Sequence, residues 1–161
     1  MLVRHGLFRD WLELRLAYTA VSLDDPTGST TGSDDLYLGA KIGLTPQCGW
    51  LPEMSLIPQM TVPSGSSAFS NDTVLAGMNW IYAWELSDSA SVAGSTQFNR
   101  KLDETTGKEY TQWARSMAAG YALTDTVGAY AEWFAFFPDN ADVDPVEHYF
   151  NCLLYTSDAA D

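Results

Sequence analysis

The residue types that most often carry out chemistry are few in this chain and poorly spaced for it. His5 and His148 lie near opposite ends of the sequence. Neither has a second His or a Cys at the spacing of a metal-ligand pair. Ser95 lies in the run Val92, Ala93, Gly94, Ser95, Thr96, which is not the G-x-S-x-G turn of a nucleophilic serine. A Ser–His hydrolase assembled in space would have only those two histidines as base. The loop carboxylates Asp24, Asp25, Asp34, Asp35, Asp139, Asp142 and Asp144 offer oxygen ligands for calcium, but without EF-hand spacing, and a solvated acidic loop explains them as well. Cys48 and Cys152 are too few for a disulfide framework. No catalytic residue, metal or cofactor is expected from these residues, and no enzyme.

The polar residues that do follow a pattern sit inside apolar segments. In residues 11–22, Leu12, Leu14, Leu16, Tyr18 and Ala20 take one parity, and Glu13 and Arg15 take the other. Residues 35–44 repeat this with Lys41 opposite Leu36, Leu38, Ala40 and Ile42. Residues 74–86 place Asn79 and Glu85 opposite Met78, Trp80, Tyr82 and Trp84, and residues 127–137 place Glu132 opposite Ala131, Trp133 and Ala135. Successive side chains of a strand point to opposite faces, so each segment reads as a strand with one apolar and one polar face. A helix would put Glu13 and Arg15, two apart, on different faces.

Three further segments are weaker. Residues 53–62 contribute Gln59 but contain Pro58, which cannot donate a ladder hydrogen bond and predicts a bulge or local break. Residues 91–99 alternate and contribute Gln97 and Asn99. Residues 110–123 put Arg115 on the parity of Trp113, Met117 and Tyr121, so the facing of that strand stays open unless a bulge shifts its register. Residues 2–7 read as the end of a preceding strand.

Composition bounds what such strands can form. The chain of 161 residues has 21 acidic against 8 basic residues and a formal net charge of -13, a balance that would repel a nucleic acid. Its 13% aromatic content is too high for disorder, and no apolar run is long enough for a transmembrane helix. Short turns near Asp10, Asp88 and Asp125, and an extended one at residues 45–52, alternate with long polar loops at residues 23–34, 63–73, 101–109 and 138–146. Long strands with short turns at one end and long loops at the other predict an all-β, antiparallel, up-and-down transmembrane β-barrel. Its lumen would be lined by Glu13, Arg15, Lys41, Gln59, Asn79, Glu85, Gln97, Asn99 and Glu132, since charge on the lipid face is costly. Tyr18, Trp84, Trp113 and Phe137 fall where interfacial aromatic residues would sit; Trp80, mid-strand, does not. The alternative is a soluble all-β sandwich that binds a ligand or glycan.

The stretches GWLPEMSLIPQMTVPSG (49–65), GSTQFNR (94–100), GYALTDTVGAYAEWFAFFP (120–138) and EHYFN (147–151) resemble Gram-negative outer-membrane proteins described as transporters, related to the phenol meta-degradation barrel group. The resemblance covers nearly all of residues 1–151. It implies a bacterial outer-membrane location, lipid and small-molecule solutes as partners, and passage of small compounds, hydrophobic or aromatic ones among them. A structural barrel without transport is the rival within that class. The family has strands before and after this stretch, so the chain reads as a fragment of about eight to nine strands, its oligomeric state open. Residues 152–161, CLLYTSDAAD, resemble a translated sequencing adapter and are expected to stand outside the fold as a non-native tail making no alternating contacts.

Overall fold

The computed structural model describes residues 1–7, 11–25, 28–103, 106–139 and 145–156. Eleven strands are formed among them: β1 (Leu2–Leu7), β2 (Leu12–Ala17), β3 (Ala20–Asp25), β4 (Gly28–Ser33), β5 (Leu36–Thr45), β6 (Glu53–Val62), β7 (Leu75–Ser87), β8 (Ala90–Leu102), β9 (Glu109–Ala122), β10 (Val127–Asp139) and β11 (Glu147–Thr156). Nine of them make one antiparallel sheet in the order β1-β2-β5-β6-β7-β8-β9-β10-β11, and β3-β4 form a separate hairpin. The outer edges of β1 and β11 are not paired with each other, so the sheet is open. Each strand of this sheet packs chiefly against its ladder neighbours, and among the described residues no second sheet is packed on either face. A sandwich needs two such layers, and the nine-stranded sheet is a single layer, as in an incomplete barrel.

Accessibility is inverted relative to a protein that folds around an oily core. On the apolar face Leu14, Leu16, Met60, Met78, Trp80, Trp113, Met117 and Tyr121 are each 39–51% exposed. The residues between them are better covered: in β7, Leu75, Gly77 and Asn79 are half-buried while Ala76, Met78 and Trp80 are exposed. Ser55, Ile57, Ser95 and Ala114, all buried, belong to the polar face as well. Exposed apolar side chains thus recur across the strands on this face, the kind of surface that soluble monomers rarely leave open to water. Strands of 13 and 14 residues in β7 to β10 rise about 44 Å, enough to cross a hydrocarbon layer at a tilt near 45°.

Several local expectations change. Residues 11–22 are not one strand: the main ladder stops at Ala17, and Ala20 begins the β3-β4 hairpin inside what reads as a polar loop. The cause is the Ser, Thr and Gly content of β4, which encodes no alternation and leaves backbone pairing to decide. Pro58 breaks the ladder without shifting it. The pairing of β6 with β5 passes from Gly39–Gln59 to Ile42–Leu56, and the register shift lies at the turn end, between Gly43 and Thr45. The tail behaves differently from expectation, since Cys152 to Thr156 continue the ladder of β11 against β10. An edge strand offers its N–H and C=O groups to any extended chain, so pairing needs no selected side chains. The side chains do lose the alternation: Leu153 and Tyr155 fall on the polar parity and are 57% and 46% exposed. Residues 157–161 lie outside the described residues.

Candidate functional site

Cross-strand partners share a face, so the registers place every polar side chain. All nine residues singled out in the strands (Glu13, Arg15, Lys41, Gln59, Asn79, Glu85, Gln97, Asn99 and Glu132) occur on the same face of the sheet. Eight are half-buried and Glu85, near the turn end, is exposed. Glu13 binds Arg15 Nε at 2.6 Å and is the cross-strand partner of Lys41, so charge of both signs is gathered at β2 and β5.

One lateral row organises the centre of this face. Arg15, Gly39, Gln59, Gly77, Asn99 and Gln112 are successive partners from β2 to β9. From Arg15 to Asn99 long polar side chains alternate with glycines, and the glycines make room. A Cβ at Gly39 would come within 2.7 Å of the Tyr37 hydroxyl, and one at Gly77 would collide with Asn99 Oδ1. Across Gly77, Gln59 and Asn99 lie two strands apart, about 10 Å between backbones. They nevertheless meet: Gln59 Nε2 donates to Asn99 Oδ1 at 2.9 Å. The Tyr37 hydroxyl donates to Gln59 Oε1 at 3.0 Å, and Asn99 Nδ2 donates to Gln97 Oε1 at 3.4 Å. Beside this chain of amides is a cavity of about 310 Å³ whose lining includes Tyr37, Gln59, Thr61, Gly77, Asn99 and Lys101. Thr61 Oγ1, in that lining, and Asn79 Oδ1, one row away, are buried without a protein partner. Such groups are costly unless water or a solute completes them.

A second cluster on the same face is aromatic. Phe134 stacks on Tyr149 with centroids 4.7 Å apart, and Phe136 meets both edge-on at 5.9 and 6.2 Å. Next to them a cavity of about 290 Å³ is bordered by Gln97, Ser116, Glu132, Phe134 and Phe136. Ser95 is bonded to Ser116 at 2.9 Å between hydroxyl oxygens. His5 and His148 occupy the opposite, apolar face, opposite Leu14 and Ala135, so the register separates Ser95 from both.

The apolar face carries aromatic residues of its own, including those expected near an interface. Phe98, Trp113 and Phe137 are neighbours across β8, β9 and β10 at the long-loop end, with Phe98 and Trp113 edge-to-face at 5.0 Å. Trp84 lies toward the turn end and donates Nε1 to the Trp50 carbonyl at 3.0 Å. Tyr18 lies just beyond β2, its N–H bonded to the Met1 carbonyl at 2.9 Å. Phe98 and Tyr121 complete these rows. Single-strand parity gives their face but not their height, which depends on the pairing. The open facing of β9 is resolved without a bulge: no register shift interrupts β8-β9 or β9-β10, and Arg115 lies on the apolar face.

At the long-loop end Asp35 ties two connections together. Its Oδ1 accepts from the Ser64 and Gly65 backbones at 3.1 Å each and from the Ser70 hydroxyl at 2.7 Å; Oδ2 accepts from Asn71 N at 2.9 Å. These donors fill both oxygens, which removes Asp35 from any calcium site. Among the described residues no group of three or more His, Cys, Asp or Glu side chains could hold a metal. Asp142 and Asp144 lie outside the described residues. Burial alone would raise the Asp35 pKa, but the bonds from Asn71, Ser70, Gly65 and Ser64 outweigh it and lower it from 3.8 to about 2. A depressed carboxylate stabilises the fold fully above its unfolded pKa, so this contribution should hold above about pH 4 and fade toward pH 2. Asp35→Ala leaves several covered donors unmet, at about 1–3 kcal/mol each. It should speed protease cleavage within residues 63–74 at neutral pH; an unchanged cleavage rate would refute the clamp.

A single antiparallel layer with long strands, an apolar outside and a polar, glycine-punctuated inside defines the chain as part of a β-barrel of the up-and-down class. The chain belongs to the family described as "Putative MetA-pathway of phenol degradation", whose profile matches residues 2–149. No curated protein and no solved structure matches it.

Proposed function

We propose that the polar face lines a passage across the bacterial outer membrane for small solutes, aromatic ones among them, and that the chain is a transport barrel rather than an enzyme. The observation that carries this reading is the pairing, on one face, of a hydrogen-bonded amide row with the Phe134–Phe136–Tyr149 cluster. A small phenolic ring could stack on such a cluster while its hydroxyl bonds to Gln97, Ser116 or Glu132 around the adjoining cavity. The description of the family, a pathway of phenol degradation, is compatible with that solute class. The passage would belong to a larger closed barrel, completed by strands beyond β1 and β11, with lipid against the apolar face.

The test is uptake of radiolabelled phenol by cells that lack the gene and carry the full-length protein in trans. Phe134→Ala combined with Phe136→Ala removes ring stacking contributing about 0.5–1.5 kcal/mol per pair. It should slow phenol uptake severalfold and leave uptake of a non-aromatic solute of similar size unchanged. Equal slowing of both solutes, or no change in either, would remove the aromatic preference.

A further inference from the structure

Arg115 is the anomaly of the apolar face. Among the described residues it has no hydrogen bond and no ion pair, it is exposed, and its row neighbours are Thr96 and Ala135. A cationic side chain on a lipid-facing strand costs about 2–4 kcal/mol at mid-bilayer but only about 0–1 near the interface. Arg115 lies two residues, about 7 Å, inward of Trp113 in the Phe98–Trp113–Phe137 row. That depth is within reach of a long side chain that extends to the interface. It is accommodated there: Trp113, Arg115 and Phe137 together border an outward-facing hollow of about 440 Å³.

We infer that this hollow is a binding site for the phosphate-bearing head group of a membrane lipid in the leaflet on the long-loop side, with Arg115 as its ligand and Trp113 and Phe137 as its walls. The inference rests on the membrane-spanning reading proposed above. Charge complementarity argues for it, because among the described residues Arg115 is the one arginine of the apolar face with neither an ion pair nor a hydrogen bond, and on a chain of net charge -13 it is a local charge and not part of a general anion-attracting field. The guanidinium's planar fork matches two phosphate oxygens at once, and the flanking rings suit the depth at which acyl chains meet head groups. The other arginine of this face, Arg100, is already engaged, bonding Thr111 at 3.1 Å and Glu109 at 2.9 Å. Arg115 is the one left to take an outside anion.

The experiment uses the full-length protein, wild type and Arg115→Gln, reconstituted in phosphatidylcholine nanodiscs containing either diphosphorylated lipid A or its dephosphorylated form. Insertion is scored first, by detergent requirement and protease protection, and bound lipid is then counted by native mass spectrometry. Loss of a charge-assisted contact of this type corresponds to about a tenfold weaker retention. Wild type should retain phosphorylated lipid A about tenfold better than Arg115→Gln, with no difference for the dephosphorylated lipid, and Arg115→Lys should fall between. Equal retention by inserted wild type and Arg115→Gln would overturn the site. Displacement of the lipid by inorganic phosphate would overturn its assignment to a lipid in favour of a free anion. Failure of the wild type to insert would overturn the membrane reading, and the site with it.

Discussion

On the membrane-spanning reading proposed above, Met117→Lys is expected to destabilise the inserted protein by about 2–4 kcal/mol, whereas Ala118→Lys, one residue further along, should cost almost nothing. Met117 is 51% exposed on the apolar face, midway along β9 between Trp113 and Tyr121, where a charge would lie deepest in hydrocarbon. Ala118 points the other way and is the cross-strand partner of Glu132, so a lysine there gains a carboxylate neighbour in a polar setting. Denaturant unfolding from lipid vesicles measures both. Equal destabilisation by the two variants would contradict the assignment of lipid and lumen faces, because it would mean that neither side of β9 is solvated.

The second large effect is expected at Gly77. Leucine at this position must place its Cβ where Asn99 Oδ1 now lies, which breaks the Gln59–Asn99 hydrogen bond and pushes an isobutyl group toward the cavity of about 310 Å³. The lost bond removes about 1 kcal/mol, a modest change in stability. If the polar face lines the proposed passage, the functional change should be larger, because the side chain would narrow it at the polar row and replace one of that row's smallest residues. Solute flux through Gly77→Leu should fall severalfold, and Gly77→Ala should fall between it and wild type. Unchanged flux with a measurably altered stability would make the amide row a structural brace and not part of a passage.

What the sequence disclosed about these faces follows from how a strand encodes facing. Wherever a charge interrupts an apolar run, as Glu13, Arg15, Lys41, Glu85 and Glu132 do, the period of two assigns both faces of that strand. The same logic leaves β9 open, because its one interior charge, Arg115, shares the apolar parity of Trp113 and Met117, and no charge marks the other parity. The Gln59–Gly77–Asn99 arrangement is illegible in one dimension. Each residue's parity can be read, but their meeting depends on the lateral register of β6, β7 and β8 and on a missing Cβ between two amides. Phe134 and Phe136 share the parity of Glu132, yet they become a cluster only when β11 brings Tyr149 alongside. The β3-β4 hairpin and the pairing of Cys152 to Thr156 lie beyond pattern reading for a common reason. Both are held by backbone hydrogen bonds that any extended segment can make.

The most direct measurement of whether the polar face lines a passage is the single-channel conductance of the full-length protein in a planar bilayer. Discrete openings are predicted, with an ion selectivity that shifts toward anions on Glu13→Gln or Glu132→Gln and toward cations on Arg15→Gln, since each substitution removes one charge from the lumen wall. A silent bilayer, together with unchanged uptake of small aromatic compounds when the gene is deleted, would contradict the passage and favour a structural barrel with a closed interior.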